Sequence, residues 1–229
     1  MSKLVDSMPR PPISSSIGCL ALLLLVGLSG CKAKIEKDLK VSDLISADAK
    51  QTTANLYVEV AGCDDYEDSR RPSDSVVKAK QSIPQIFSEA RYVECFNIRF
   101  DSFAHFTIPM MLQKEGNVKA PSDRYVSIIS SDSILVSFSV PAVIRDNIAR
   151  AEQESFGTSS LEFEVSLNLI NDTTKELPLQ TSAVFVDGKP QLLSPLTLRA
   201  GQKANIVLSD VAVSVAMNGG SALALARSD

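Results

Sequence analysis

The sequence predicts an α+β fold: an antiparallel sheet with two helices on one face and a β-rich C-terminal portion. Three observations carry this reading. In LEFEVSLNL, Leu161, Phe163, Val165, Leu167 and Leu169 point one way, and Glu162, Glu164, Ser166 and Asn168 point the other. That period of two belongs to an amphipathic strand. Two other stretches space their apolar residues at helical period: Val76, Val77, Ile83, Ile86, Phe87 and Ala90, then Ile144, Ile148 and Ala151. Finally, the elements run strand, helix, four strands, helix, several strands, an order that segregates helices from an antiparallel sheet.

The chain begins with an apolar run from Ile17 to Leu28, interrupted only by Gly18, Cys19 and Gly27. A membrane-spanning helix needs roughly 17–25 residues, so this run is too short to cross. With Lys3 and Arg10 before it and small residues after it, residues 1–30 read as a secretory signal peptide, with Met1 or Met8 as its start.

Leu28-Ser29-Gly30-Cys31 resembles the lipobox of bacterial lipoprotein precursors, in which an aliphatic residue and two small ones precede a cysteine. The resemblance covers residues 1–31. It implies diacylglycerol on the Cys31 thiol, cleavage before Cys31, and a palmitate-type acyl group on the new amino terminus. Two or three chains, at about 0.8 kcal/mol per buried methylene, anchor stably where one chain would not. In such lipoproteins an aspartate after the cysteine retains the protein at the inner membrane. Lys32 stands here instead, which implies the outer membrane, with the domain facing periplasm or surface.

Residues 31–50, after the leader, are mixed in charge and read as the lipidated cysteine followed by a flexible tether, with Ser42-Asp43 able to cap a short helix. The globular domain is expected over 51–217, with a sub-boundary near 172–178. It opens with a half-buried strand carrying Leu56, Val58 and Val60. A charged loop from Cys63 to Asp74 follows. The first helix takes Ser73 or Asp74 as its cap, and Pro84 kinks or restarts it.

Two hairpins come next, one turning at Asp101-Ser102 and the other over residues 131–133. Their returning strands both begin Asp-Ser and end aliphatic-Pro, a hint of duplication. Pro141 then opens the second helix and Gly157 stops it. The remainder is β-rich, with turns at Asp187-Gly188 and Ala200-Gly201, followed by VAVSV. Residues 218–229 read as a frayed tail. TTANLYVEVAGCDDY and the later YVEC also resemble uncharacterised lipoproteins carried on phages and other mobile elements, which implies no activity.

Composition narrows the function. Removing residues 1–30 takes away Lys3, Arg10 and Asp6, leaving 21 basic and 26 acidic residues, a net of −5. Such a chain has no basic face for phosphate backbones, which argues against nucleic acid. Cys63 and Cys95 remain as an even pair in an oxidising compartment and read as a disulfide.

Catalysis calls for a poised base or nucleophile in a constellation, and the motifs of nucleophile elbows, zinc proteases, phosphate loops and dinucleotide folds are missing. His105 is a lone strand histidine beside Phe103 and Thr107, and reads as a surface or satisfied residue. Asp64, Asp65, Glu67 and Asp68 lack the spacing of a calcium loop and have Arg70 and Arg71 beside them, so they read as a solvated charged loop. No catalytic residue, metal or cofactor is assigned.

The leading expectation is a non-enzymatic, lipid-anchored interaction module of the cell envelope, engaging an envelope protein and modifying the host envelope if the mobile-element resemblance holds. The alternatives are a pilot lipoprotein for a secretion or conjugation apparatus and a periplasmic hydrolase using carboxylates.

Overall fold

The computed structural model describes residues 32–46, 48–116, 123–154 and 162–228. In chain order its elements begin with β1 (Lys32–Lys40), α1 (Val41–Ile45), β2 (Lys50–Val60), α2 (Asp74–Ile86), β3 (Arg91–Ile98) and β4 (Asp101–Lys114). Then come β5 (Val126–Ser130), β6 (Ile134–Ser139), α3 (Ala142–Glu154) and β7 (Glu162–Ile170). The last part holds β8 (Leu177–Thr181), β9 (Val184–Val186), β10 (Lys189–Gln191), β11 (Pro195–Leu198), β12 (Lys203–Leu208), α4 (Asp210–Met217) and β13 (Ser221–Arg227).

All of the strands join one sheet in the order β10-β9-β12-β7-β1-β2-β4-β5-β6-β13-β8-β11, with β3 added beside β4. The α+β expectation therefore holds in its coarse form, helices with a strand-dominated sheet, and needs two corrections in detail. The sheet is mixed, because β1 pairs parallel with β7 and β4 pairs parallel with β5. Among the described residues there are four helices, not two.

The two ends of this sheet belong to one hairpin. Lys189 pairs with Val186 and Pro195 with Gln180, a single unbroken register around the Asp187-Gly188 turn. Both turn residues have positive φ, 49° and 77°, as a two-residue primed turn requires. The hairpin bends at Ser182-Ala183, so its outer half (β9) pairs with β12 while its inner half (β8) pairs with β13. The sheet is thereby curled onto itself.

Its concave side is the core. Leu56, Phe106, Ile108, Ile128, Leu167 and Leu169 are among the fully buried side chains there. The strand expected over 161–169 keeps the expected faces, with Val165, Leu167 and Leu169 buried; Leu161 lies outside the described residues. The start of α2 is also as expected: the Ser73 hydroxyl accepts from the Val76 N–H at 3.3 Å. Pro84 does not interrupt this helix, because it falls in the last turn, and α2 ends at Ile86.

The tether is the largest correction. Residues 32–46 are part of the fold, and β1 is a central strand bonded to β2 on one side and β7 on the other. Ala33, Ile35, Leu39 and Val41 are buried. Lys37 occupies the inward position between Ile35 and Leu39 and hides the alternation. Its stem runs along the core while its Nζ donates to Thr52 Oγ1 and to the Thr53 carbonyl, each at 2.8 Å. Burial pushes the Lys37 ammonium below its ordinary pKa.

The expected frayed tail is likewise a strand. β13 lies between β6 and β8 and buries Ala222, Ala224 and Leu225. VAVSV, read with the β-rich remainder, forms helix α4, because the Ser209 hydroxyl caps the Ala212 N–H and Ala212, Val213 and Ala216 share a buried side. The sub-boundary near 172–178 separates nothing, since β7 before it and β12 after it are paired neighbours. The first hairpin turns at Arg99-Phe100, two residues before the expected place, because Asp101 is already paired with Ile98. The signal peptide, Cys31 and the Gly157 stop lie outside the described residues. Among those described, no helix is long and apolar enough to cross a membrane.

Candidate interaction surface

With residues 33, 35 and 39 of β1 facing the core, residues 34 and 36 face outward, and the same parity sets the neighbouring strands. Registers align Glu94 with His105, His105 with Tyr57, Glu36 with Asn55 and with Ser166, and Asn168 with Asn205. The result is a ladder of polar side chains across six adjacent strands, in the order β3-β4-β2-β1-β7-β12.

Hydrogen bonds fix most of its rungs. Asn205 Nδ2 donates to Ser166 Oγ and to Asn168 Oδ1, both at 2.9 Å, and Asn168 Nδ2 donates to Glu36 Oε1 at 3.3 Å. Lys34 sits 3.5 Å from Glu36 and 3.4 Å from Glu164. Farther along, His105 Nε2 lies 3.1 Å from Asn55 Oδ1, and its Nδ1 lies 3.8 Å from Glu94 Oε1. Tyr57 stacks on the His105 ring at 4.8 Å, and Phe96 meets Tyr57 edge-on at 5.9 Å. Partial burial raises the pKa of the Tyr57 hydroxyl, and the Glu36 carboxylate adds to the rise.

Glu94 reaches this face because of a bulge. The register of β3 shifts between Tyr92 and Glu94, which leaves Val93 as the extra, exposed residue. Tyr92 consequently faces Phe106 in the core, while Glu94 is turned outward to His105. Strict alternation would have put Tyr92 and Glu94 on the same side.

His105 is thus on the outer side, as expected, with Ala104, Phe106 and Ile108 buried opposite. Cys63 and Cys95 are joined, with Cα atoms 5.5 Å apart, and the bond pins loop 63–74 to β3. Within that loop Asp68 accepts from Arg70 Nε at 2.8 Å and lies 3.5 Å from Arg71, while Asp65 Oδ1 accepts from the Glu67 and Asp68 amides. The Arg70 guanidinium holds the Asp68 carboxyl below the usual carboxylate range. Among the described residues, no three His, Cys, Asp or Glu side chains gather as a metal site would require.

Two concavities lie among the described residues. A partly open apolar cavity of about 10 Å³ lies beside Ile35, Phe138, Ile148 and Val165, room for no more than one water. An open, shallow depression lies on α4 beside Val211 and Val215.

Sequence reasoning found His105 but missed its neighbours. Asn55, Tyr57, Glu36, Asn168 and Asn205 all show as polar positions of alternating strands, yet only the registers bring them into one row. A family model described as a domain of unknown function (DUF7424) matches residues 33–228. No curated protein and no solved structure matches the chain.

Proposed function

The chain belongs to the DUF7424 family, and we propose that it is a lipid-anchored, non-enzymatic interaction module of the cell envelope. Cys31 carries the anchor, Lys32 directs it to the outer membrane, and the outer face of β3-β4-β2-β1-β7-β12 holds an envelope protein. If the gene travels on a phage or another mobile element, the module modifies the host's envelope.

The observation that carries this reading is the ladder itself. It holds two bonded groups, Glu36 with Asn168, Asn205 and Ser166, and Asn55 with His105, so a partner meets side chains that need little ordering on binding. Tyr57, Phe96 and Phe103 give one end of the row the aromatic character that interface centres favour. Exposed alternation, polar outside and apolar inside, would by itself require no such cross-strand bonding.

The test is crosslinking and capture from intact cells with three forms: the native chain, Cys31→Ser, and Tyr57→Ser combined with Glu36→Lys. The expected result is one envelope protein recovered with the native form and lost from the other two. Equal recovery with the face variant would remove the ladder from the reading. Equal recovery with Cys31→Ser would remove the anchor.

A further inference from the structure

The described chain enters the fold at one end of β1, and the most exposed aromatic side chains among the described residues lie at that same end. Ala33 pairs with Val58 and Glu59 with Phe103, which puts Lys32 level with Glu59 and Phe103. The β3–β4 hairpin continues past that level: Ile98 pairs with Asp101, and Arg99-Phe100 form the tip. At roughly 3.3 Å per residue, the tip reaches about 7–10 Å beyond Lys32, on a strand two places and about 10 Å to the side.

Phe100 is fully exposed at this tip, and Ile98 is half-exposed beside it. The loop after β2 carries a second fully exposed aromatic, Tyr66. The Cys63–Cys95 bond fastens that loop to β3, and the Ser73 amide donates to the Cys63 carbonyl at 3.0 Å to close its base. Two loops that each carry an exposed aromatic are therefore fastened to the same end of the domain.

We propose that this corner, Phe100 with Ile98 and Tyr66, inserts into the lipid interface of the membrane that holds the anchor. The proposal rests on the reading of Cys31 as lipidated. Cys31 is one residue from Lys32, at most about 3.8 Å away, so an acyl chain there leaves no slack to lift the domain off the bilayer. With β1 along the membrane normal, the hairpin tip then lies several ångströms deeper than the anchored residue. That matches the roughly 5–10 Å to which apolar faces of interfacial segments are buried. Aromatic rings are the side chains that favour this depth.

Charge selects the kind of lipid. Residues 62–74 and 97–102 hold Asp64, Asp65, Glu67, Asp68, Asp74 and Asp101 against Arg70, Arg71 and Arg99, a net of −3. An anionic surface would repel this corner, so the contact is apolar insertion among zwitterionic headgroups.

The chain contains no tryptophan, which gives a clean reporter. Phe100→Trp, Tyr66→Trp and, at the opposite end, Ile45→Trp are each made in the full chain. Each is purified from the membrane, weighed by mass spectrometry for acylation, and reconstituted into phosphatidylcholine–phosphatidylethanolamine vesicles with and without lipids brominated near the headgroup. The expected result is acylated protein in which the indole emission of Phe100→Trp and of Tyr66→Trp moves to the blue and is quenched by bromine, while that of Ile45→Trp is unaffected. Acylated Phe100→Trp protein whose indole remains as wet as that of Ile45→Trp would overturn the insertion and leave the anchor standing. Unacylated protein would overturn the anchor, and the insertion with it.

Discussion

Ile35→Ala is the substitution that separates a central strand from a tether. Ile35 is 2% exposed and lies between Leu56 of β2 and Val165 of β7. Truncating a buried isoleucine to alanine costs about 2–5 kcal/mol, more where the site cannot collapse. Here the surroundings are sheet backbone on both sides, and the side chain already borders the small core cavity. A value near 3–4 kcal/mol follows, within the range for sites that collapse poorly. For a domain of this length each kcal/mol moves Tm by about 2–4 °C, so the fall should be roughly 6–16 °C.

The assay is thermal unfolding of the mature chain followed by circular dichroism, with Lys34→Ala measured beside it. Lys34 is the next residue but faces outward in exposed ion pairs, which are worth about 0–1 kcal/mol. A tether would make both substitutions silent. An Ile35→Ala transition within about a degree of the native one, on the same scale of a few degrees per kcal/mol, would refute the placement of β1.

Replacing Cys63 and Cys95 together by serine opens a loop whose ends are 32 residues apart, which the chain-entropy account values at about 3–4 kcal/mol. Urea unfolding should show a lower midpoint for the double variant, and a reductant should bring the native protein to the same value; equal midpoints would contradict a stabilising bond. Asp172 offers a pH test. Its carboxylate accepts from the Ser42 hydroxyl and amide, and the hydroxyl bond is the larger cause of a pKa held below the ordinary value near 3.9. A depressed carboxyl gives stability that is complete above that ordinary value and is lost as pH falls through the folded one. Asp172→Asn should therefore flatten part of the acid-side decline in Tm below about pH 4, and an unchanged slope would show that the contact contributes nothing.

What the sequence made legible was what neighbouring residues decide between them. The alternation of β7, the Ser73 cap, the Asp187-Gly188 turn and the Cys63–Cys95 pairing each depend on a few adjacent positions or on simple parity. The misreadings share a different cause, which is that tertiary neighbours settled them. Lys37 looks like a solvated charge until Thr52 and Thr53 receive its ammonium. SALALAR looks like a tail until β6 and β8 take its two edges. Val211 and Val215 favour a strand locally, but the Ser209 cap and the buried Ala212 and Ala216 make a helix of them. The interaction ladder was the least accessible, since most rungs pair residues far apart in sequence and the Glu94–His105 rung depends on the Val93 bulge.

The correction at β1 changes how the proposed anchor would act. Nineteen residues of extended tether would have let the domain range over about 60 Å above the bilayer. On the anchored reading, a strand that begins at Lys32 removes that freedom and keeps the domain close to the bilayer. Glu36, in the middle of the ladder, is four residues along β1 from Lys32, so on the anchored reading that rung stands about 13 Å above Lys32. The ladder crosses the strands on a slant: Glu94, His105 and Tyr57 stand level with Lys34, Asn55 and Ser166 with Glu36, and Asn168 and Asn205 with Asp38. On that reading a partner would be met close to the bilayer, along a slanted line and not at a point. The corner at Phe100 bears on the same question: a second contact with lipid, beside the acyl group, would stop the domain from pivoting about Cys31 and hold the ladder at that height.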